Sequence, residues 1–429
     1  MKKTADFLAM YEWFPLAEAM VGTPRTRHLW CPRDAKNSPP PADLAMASKA
    51  LTRPLFGRPG NNLSSGIVGL ANVGKSTFFQ AITRSKLGNP ANYPFATIKP
   101  EEAIVTVHSP KLDRLAELYL SQKSIASVLR IYDIAGLIKG ASDNKGLGNA
   151  FLSDIRAVDG IFQVVRGFRD DEITHVEGDV DPARDLTIVQ DELLLKDMEF
   201  IENSLDRIAK LLKNKRNRPA DEVARWEAHQ ETLAIAYDHL MDGRRILDKP
   251  DWTADQIEAL NSYTLLTAKP TVFLLNSSKQ DFLRGKNEFL SQVQEWVRNN
   301  APESPVILFS AEHEANAVNT GGRSAIPEIV EQMRQALHLI SFYTCGPIEA
   351  RQWTIREGTL CPQAAGVIHS DFERTFINAE VIKYRDVEQL PAPLNEKSLR
   401  SAGKIARVGK NYVVEDGDIL RINAAAAKR

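Results

Sequence analysis

The chain has 429 residues, of which 43% are hydrophobic and 25% charged, enough apolar content for a substantial core and too much for a disordered chain. Its 54 Lys and Arg against 55 Asp and Glu leave a net charge of -1, so global charge gives no reason to expect nucleic acid, DNA least of all. Cys31, Cys345 and Cys361 lack CxxC spacing, which argues against a zinc site or a disulfide scaffold and suits a reducing compartment.

Residues 1–60 read as a leader or linker, because Pro39-Pro40-Pro41, Pro54, Pro59 and Gly60 interrupt regular structure. Asp6, Glu12 and Glu18 break up any apolar region of a signal peptide, whereas Arg25, Arg27 and Arg33 keep a mitochondrial presequence as the alternative to a cytoplasmic location. Apolar runs such as Thr271 to Leu275 fall well short of the roughly 20 residues that cross a bilayer, and no membrane partner is expected.

Order is expected from near Ser64. Ser65 to Leu70 reads as a strand, and Lys75 to Thr83 as a helix carrying Phe78, Phe79 and Ile82. Ala103 to Val107, Ser127 to Tyr132, Gly160 to Val165, Thr271 to Leu275 and Val306 to Phe309 are further strands. Their near-continuous apolar character predicts a mostly parallel sheet buried on both faces, an α/β nucleotide-binding domain over residues 61–338.

Between the fourth and fifth of these strands, Leu194, Met198, Ile201, Leu205, Ile208 and Leu212 recur at spacings of four and three. Val223, Trp226, Leu233, Tyr237 and Leu240 continue the pattern past a polar break from Lys213 to Pro219, which predicts an inserted helical hairpin over residues 190–260. It serves either as scaffold or as a docking lever. From residue 339 to 425, β-like pieces at Arg351 to Ile355, Thr375 to Ala379 and Asn411 to Val414 alternate with turns such as Glu415-Asp416-Gly417-Asp418, giving a small α+β module.

The segment from Gly69 to Ser76 satisfies GxxxxGK[ST]. Glycines let the backbone wrap a phosphate, and the following helix offers free N–H groups and a favourable dipole. Asn72, Val73, Gly74, Lys75, Ser76 and Thr77 are therefore the expected phosphate-binding residues, with Lys75 spanning the terminal phosphates and Ser76 giving an oxygen to Mg2+. Asp133-Ile134-Ala135-Gly136 follows an apolar strand, where such a site needs an acid near the metal and a glycine N–H near the terminal phosphate. Thr97, in a loop bounded by Pro94 and Pro100, is a further candidate for the metal.

Asn276 ends another strand and either reads the base or caps the strand end. Guanine-selective sites place an acid three residues on; here stands Lys279, which cannot accept hydrogen bonds from guanine. The residue after Gly136 is Leu137, which cannot orient water as a glutamine would, and Gly140, Gly146 and Gly148 follow.

Taken together, Gly66-Ile67-Val68-Gly69-Leu70, Asn72 to Phe79, Asp133 to Leu137, Gly146-Leu147-Gly148-Asn149 and Ile173-Thr174-His175-Val176-Glu177-Gly178 resemble the YchF family, the Obg-like ATPases. Thr354-Ile355-Arg356, Pro362 to Gly366 and His369 to Phe372 extend the resemblance to the carboxy-terminal module. It implies a P-loop domain with an inserted coiled-coil-like helical domain and a ubiquitin-like TGS domain, hydrolysing ATP at least as readily as GTP. By matching position it assigns Ser76 and Thr97 to Mg2+, Asn276 and the Ser277 backbone to adenine, and the positioning of water to His175. Family members normally carry an acid where this chain has Lys279. Asn72 matches an arrangement that holds K+ in some P-loop switches, although a loop-stabilising amide explains it equally well. The implied partner is the ribosome or ribosomal RNA, and the chain is expected to be monomeric. Two other readings stay open: a nucleotide-regulated ribosome- or RNA-binding protein with negligible turnover, and a conventional GTPase.

Overall fold

The structure, a computed structural model, describes residues 54–84, 102–134, 153–170, 172–213, 218–317 and 323–425. The leader up to residue 53 and the loops holding Thr97, Gly136, Leu137, Gly140, Gly146 and Gly148 lie outside the described residues.

Seven described strands precede residue 310: β1 (Ser64–Val68), β2 (Glu102–Thr106), β3 (Lys123–Ile125), β4 (Val128–Asp133), β5 (Gly160–Gly167), β6 (Thr271–Ser277) and β7 (Val306–Phe309). All but β3 form one sheet in the order β2-β4-β1-β5-β6-β7. The pairs β4–β1, β1–β5, β5–β6 and β6–β7 are parallel, and β2 is an antiparallel edge. Every residue of β1, β5 and β6 is buried, which is why β5 and β6 read as near-continuous apolar runs. Phe78 on α1 (Lys75–Arg84) meets Phe162 and Phe309 edge-on across the sheet.

The six strands expected from sequence are those of this sheet. The segment between two of these strands has a different destination. Helix α2 (Pro110–Leu118), capped by the Ser109 hydroxyl, and the short strand β3 leave the first sheet between β2 and β4 and join the second one.

The helical insertion consists of α3 (Pro182–Lys213) and α4 (Ala220–Met241). Ile201, Ile208, Leu233 and Leu240 are buried between them, as their spacing predicts. The first helix begins eight residues before the expected position 190, because Pro182 suits a first helical turn and the Asp181 carboxylate accepts the Arg184 N–H at 3.2 Å. Apolar spacing alone misses such a polar start. The hairpin is tied to the connection that leads into β6 by Asp197, whose carboxylate accepts from the N–H groups of Leu266 at 2.9 Å and Thr267 at 2.7 Å. Helix α5 (Ala254–Asn261) closes the insertion, and α6 (Lys279–Arg284), α7 (Leu290–Asn300), α8 (Ala311–Ala317) and α9 (Ile326–Ala336) flank the sheet.

The carboxy-terminal module starts at β8 (Leu339–Cys345) and contains β9 (Glu349–Arg356), α10 (Cys361–Ile368), α11 (Ser370–Thr375), β10 (Phe376–Lys383), α12 (Glu396–Ser401), β11 (Ile405–Val408) and β12 (Asp418–Ala424). Its sheet runs β11-β10-β12-β8-β9-β3, so the last strand is borrowed from residues 123–125. One face packs Phe342, Ile355 and Val381 on Cys361, Ala364 and Ala365 of α10. The other face buries Leu112, Leu115 and Leu118 of α2 against Tyr343, Ala350 and Ile419. Asn411 to Val414, expected as a strand, makes one bridge, Val413 to Leu360, and is otherwise irregular. Among the described residues no helix is long and apolar enough to cross a membrane.

Candidate functional site

Residues 69–74 leave the buried end of β1 and turn sharply into α1. Asn72 and Gly74 have φ of 61° and 100°, and a Cβ on Gly69 would lie 2.3 Å from the Val164 carbonyl of β5, so the loop is pressed against the neighbouring strand. The first helical hydrogen bond is Phe78 N–H to Gly74 C=O at 2.9 Å, which leaves the N–H groups of the turn without helical partners. Ser76 and Thr77 are exposed in that turn, and Val73 is buried beneath the loop.

Lys75 is 8% exposed and donates to the Leu70 carbonyl at 2.6 Å. Burial lowers its pKa to about 8, against the pull of the Asp133 carboxylate. Asp133 ends β4 in register with Ile67 of β1, which sets the acid beside the loop.

Asn276 is the penultimate residue of β6 and is 4% exposed. Its Nδ2 donates to the Val73 carbonyl at 2.9 Å, and its Oδ1 accepts from the Ala311 N–H at 2.9 Å. One amide therefore joins the phosphate loop, the end of β6 and the start of α8. Contact with a base must use the one N–H and one lone pair left over. Ser277 Oγ donates to the Phe309 carbonyl at 3.0 Å, and the Ser278 hydroxyl caps α6, whose first residue is the exposed Lys279.

The loop after β5 is organised by Arg166, which is 1% exposed. Its guanidinium donates to the carbonyls of Phe168, Asp170 and Ile173 at 2.9–3.1 Å and lies over the Phe168 ring. At the end of this loop Asn72 Nδ2 donates to the Thr174 carbonyl at 3.1 Å, so phosphate loop and histidine loop touch. His175 is buried: Nε2 lies 2.8 Å from Asp185 Oδ2, and Nδ1 accepts the Glu177 N–H at 3.1 Å. Burial raises the Asp185 carboxyl above its ordinary range, while His175 and Arg184 pull it back.

The structure thus brings residues 69–77, Asp133, His175, Asn276 and Ser277 to the carboxyl ends of adjacent strands β4, β1, β5 and β6. Gly136 and Thr97 lie outside the described residues. Sequence reasoning missed Arg166, Asp185 and Ala311. A long cation inside the apolar run Val164-Val165-Arg166-Gly167 signals a need for buried acceptors, whereas Asp185 reads only as a first-turn helix acid. A cavity of about 630 Å³ opens at the opposite ends of the strands, beside Leu63, Pro270 and Pro305, and shares no residue with the phosphate loop. The donor set suits Mg2+, which takes one or two protein oxygens and fills its shell with phosphate and water: an exposed hydroxyl at Ser76 and a carboxylate at Asp133 flank the loop.

A phosphate loop with a buried lysine and an acid on the adjacent strand, at the switch point of a parallel sheet, defines a P-loop nucleoside triphosphatase. Residues 64–203 match a family model described as a 50S ribosome-binding GTPase, and residues 339–425 match the YchF GTPase carboxy-terminal model, described as a protein of unknown function. Two Saccharomyces cerevisiae relatives, Obg-like ATPase homolog and Obg-like ATPase 1, are 50% and 51% identical, each comparison covering 87% of this chain and 97% of the relative. The solved Schizosaccharomyces pombe YchF GTPase superposes with a TM-score of 0.77 at 46% identity, over 86% of this chain and 99% of that one. The chain belongs to the YchF family of Obg-like ATPases.

Proposed function

We propose that the chain hydrolyses ATP, with GTP as a second substrate, to the diphosphate and phosphate, acting as a monomeric ribosome-associated switch in the cytoplasm. The observation that carries the hydrolytic reading is Lys75, drawn onto the Leu70 carbonyl and facing Asp133 at the phosphate loop. A phosphate chain offers the ammonium stronger, charged acceptors than that carbonyl. Mg2+, when bound, neutralises the terminal phosphates; Ser76, Asp133 and Thr97 would hold it. The Gly136 N–H would meet the terminal phosphate, and His175 would orient the water. The Asn72 amide nitrogen ties the phosphate loop to the Thr174 carbonyl, the loop-stabilising alternative to K+, and only its oxygen would be left to take that ion.

The preference for ATP is what the family resemblance implies, and Lys279, although it replaces an acid usual in the family, counts against guanine. This exposed cation stands where a guanine-reading acid would stand, so the exocyclic donors of guanine find no carboxylate. Asn276 and the Ser277 backbone would then meet adenine. The GTPase titles of the Schizosaccharomyces pombe structure and the family model keep guanine as the competing base. The ribosome-binding description of that model supports the ribosomal partner. The hairpin of α3 and α4, read as a coiled-coil-like domain, and residues 339–425, read as a ubiquitin-like TGS domain, would supply the docking surfaces.

Single-turnover phosphate release tests the reading. Wild type should release phosphate from ATP and Lys75→Ala should not; ribosome binding that follows nucleotide without any release would establish a binding protein instead. Parallel ATP and GTP affinities settle the base: Lys279→Glu should shift preference toward GTP, and a wild type that favours GTP would overturn the ATP reading.

A further inference from the structure

We propose that Asp185 is a positioning residue for hydrolysis: it holds the His175 imidazole in the Nε2–H tautomer, leaving Nδ1 as the nitrogen that grips the attacking water. The inference rests on the reading of His175 as the water-positioning residue and adds the group that sets its tautomer.

A backbone N–H can only donate, so the contact from Glu177 N–H to Nδ1 at 3.1 Å fixes a lone pair on Nδ1. The ring proton is then on Nε2, donated to Asp185 Oδ2 at 2.8 Å. Both nitrogens are engaged, and one bond must open before the ring can hold water.

The two bonds differ in kind. That to Asp185 is charge-assisted, and such bonds are roughly twice as strong as neutral ones. Its carboxylate is 2% exposed, and its other oxygen receives Arg184 at 3.3 Å. Removing the imidazole would strip a buried anion of its shorter hydrogen bond. The Glu177 bond is neutral and belongs to a surface turn, closed by Gly178 N–H to His175 C=O at 3.1 Å, with Gly178 at φ 89°. Asp185 stands in the first turn of the long helix α3, whereas Glu177 rides on that turn. The turn yields first; the carboxylate keeps its hold and the Nδ1 lone pair is freed. Asn72 gives the nucleotide access to this event, since its bond to the Thr174 carbonyl joins the phosphate loop to the residue before His175.

The test uses the full-length chain. Asp185→Asn preserves size, but its amide can donate to Nε2 and drive the ring proton onto Nδ1, removing the lone pair. We expect kcat for ATP to fall about 100-fold with KM changed less than about threefold, the range of a lost general base. Ring 15N shifts should show Nε2–H in wild type and Nδ1–H in Asp185→Asn. Adding Asp185→Asn to His175→Ala should cost nothing further. Wild type showing Nδ1–H overturns the proposal whatever the variant does, as does an Asp185→Asn rate within about threefold of wild type while His175→Ala is slow. A His175→Ala rate equal to wild type would instead remove the underlying role of His175.

Discussion

Replacing Gly74 by Ala tests the join between the phosphate loop and the base end of the site. The new Cβ would lie 2.3 Å from Asn276 Nδ2 and 3.4 Å from its Cγ, at a residue with φ 100°. Such a backbone conformation costs a non-glycine residue about 1–3 kcal/mol. Asn276 is 4% exposed and cannot swing into solvent. If it retreats, the Val73 carbonyl and the Ala311 N–H lose their partner, at about 1–3 kcal/mol for each buried group left unsatisfied. The total is about 3–9 kcal/mol, which must appear as lost folding stability, lost nucleotide affinity, or both. Urea unfolding and calorimetric nucleotide binding measure the two shares. The clash also requires coupling: in an Asn276→Ala background the same glycine substitution should cost less by at least about 1 kcal/mol, since the atom it strikes is gone. A Gly74→Ala protein with wild-type urea midpoint and affinity would refute this account of the loop.

Two further outcomes follow from the geometry. Lys75 in the nucleotide-free chain has a pKa lowered to about 8, and phosphate must raise it; the binding contribution is whole below pH 8 and is lost as pH rises through and beyond that value. Affinity should be flat below pH 8 and weaken by up to about tenfold per pH unit above it, while Lys75→Met binds weakly without that break; a flat wild-type profile would sink the assignment. Leu115→Ala opens a cavity on the second sheet and should cost about 2–5 kcal/mol, with hydrogen exchange rising in β8 and β9 rather than in β1 and β5. Faster exchange in β1 with β8 unchanged would contradict the packing of α2 described above.

The parallel sheet was legible because its central strands are buried on both faces and carry little but apolar residues. The hairpin was legible because Ile201, Ile208, Leu233 and Leu240 sit at helical spacing. The phosphate loop announces itself, since backbone wrapping restricts residue type position by position. What stayed hidden depends on distant partners. Leu112, Leu115 and Leu118 mark an apolar helix face, but nothing near them says that it packs against strands beginning at Leu339. Asn276 is visible at a strand end, whereas its use as a bracket needs Ala311, which carries no distinguishing side chain. The partner of His175 lies ten residues on, inside what reads as ordinary helix. Tyr412, Val413 and Val414 are strand-like residues without a strand, because one bridge to Leu360 is all the pairing they find.

The borrowed strand β3 and helix α2 also set the order in which the chain can mature. Residues 110–125 leave the ribosome long before β8, β9 and β12, so the apolar face of Leu112, Leu115 and Leu118 must wait uncovered while more than half of the chain is still being made. Contacts of such sequence separation form slowly, and exposed apolar surface invites aggregation in the interval. Cutting the gene after residue 338 would make that interval permanent: the fragment would keep every described strand of the nucleotide sheet and still carry a greasy helix with nothing to cover it.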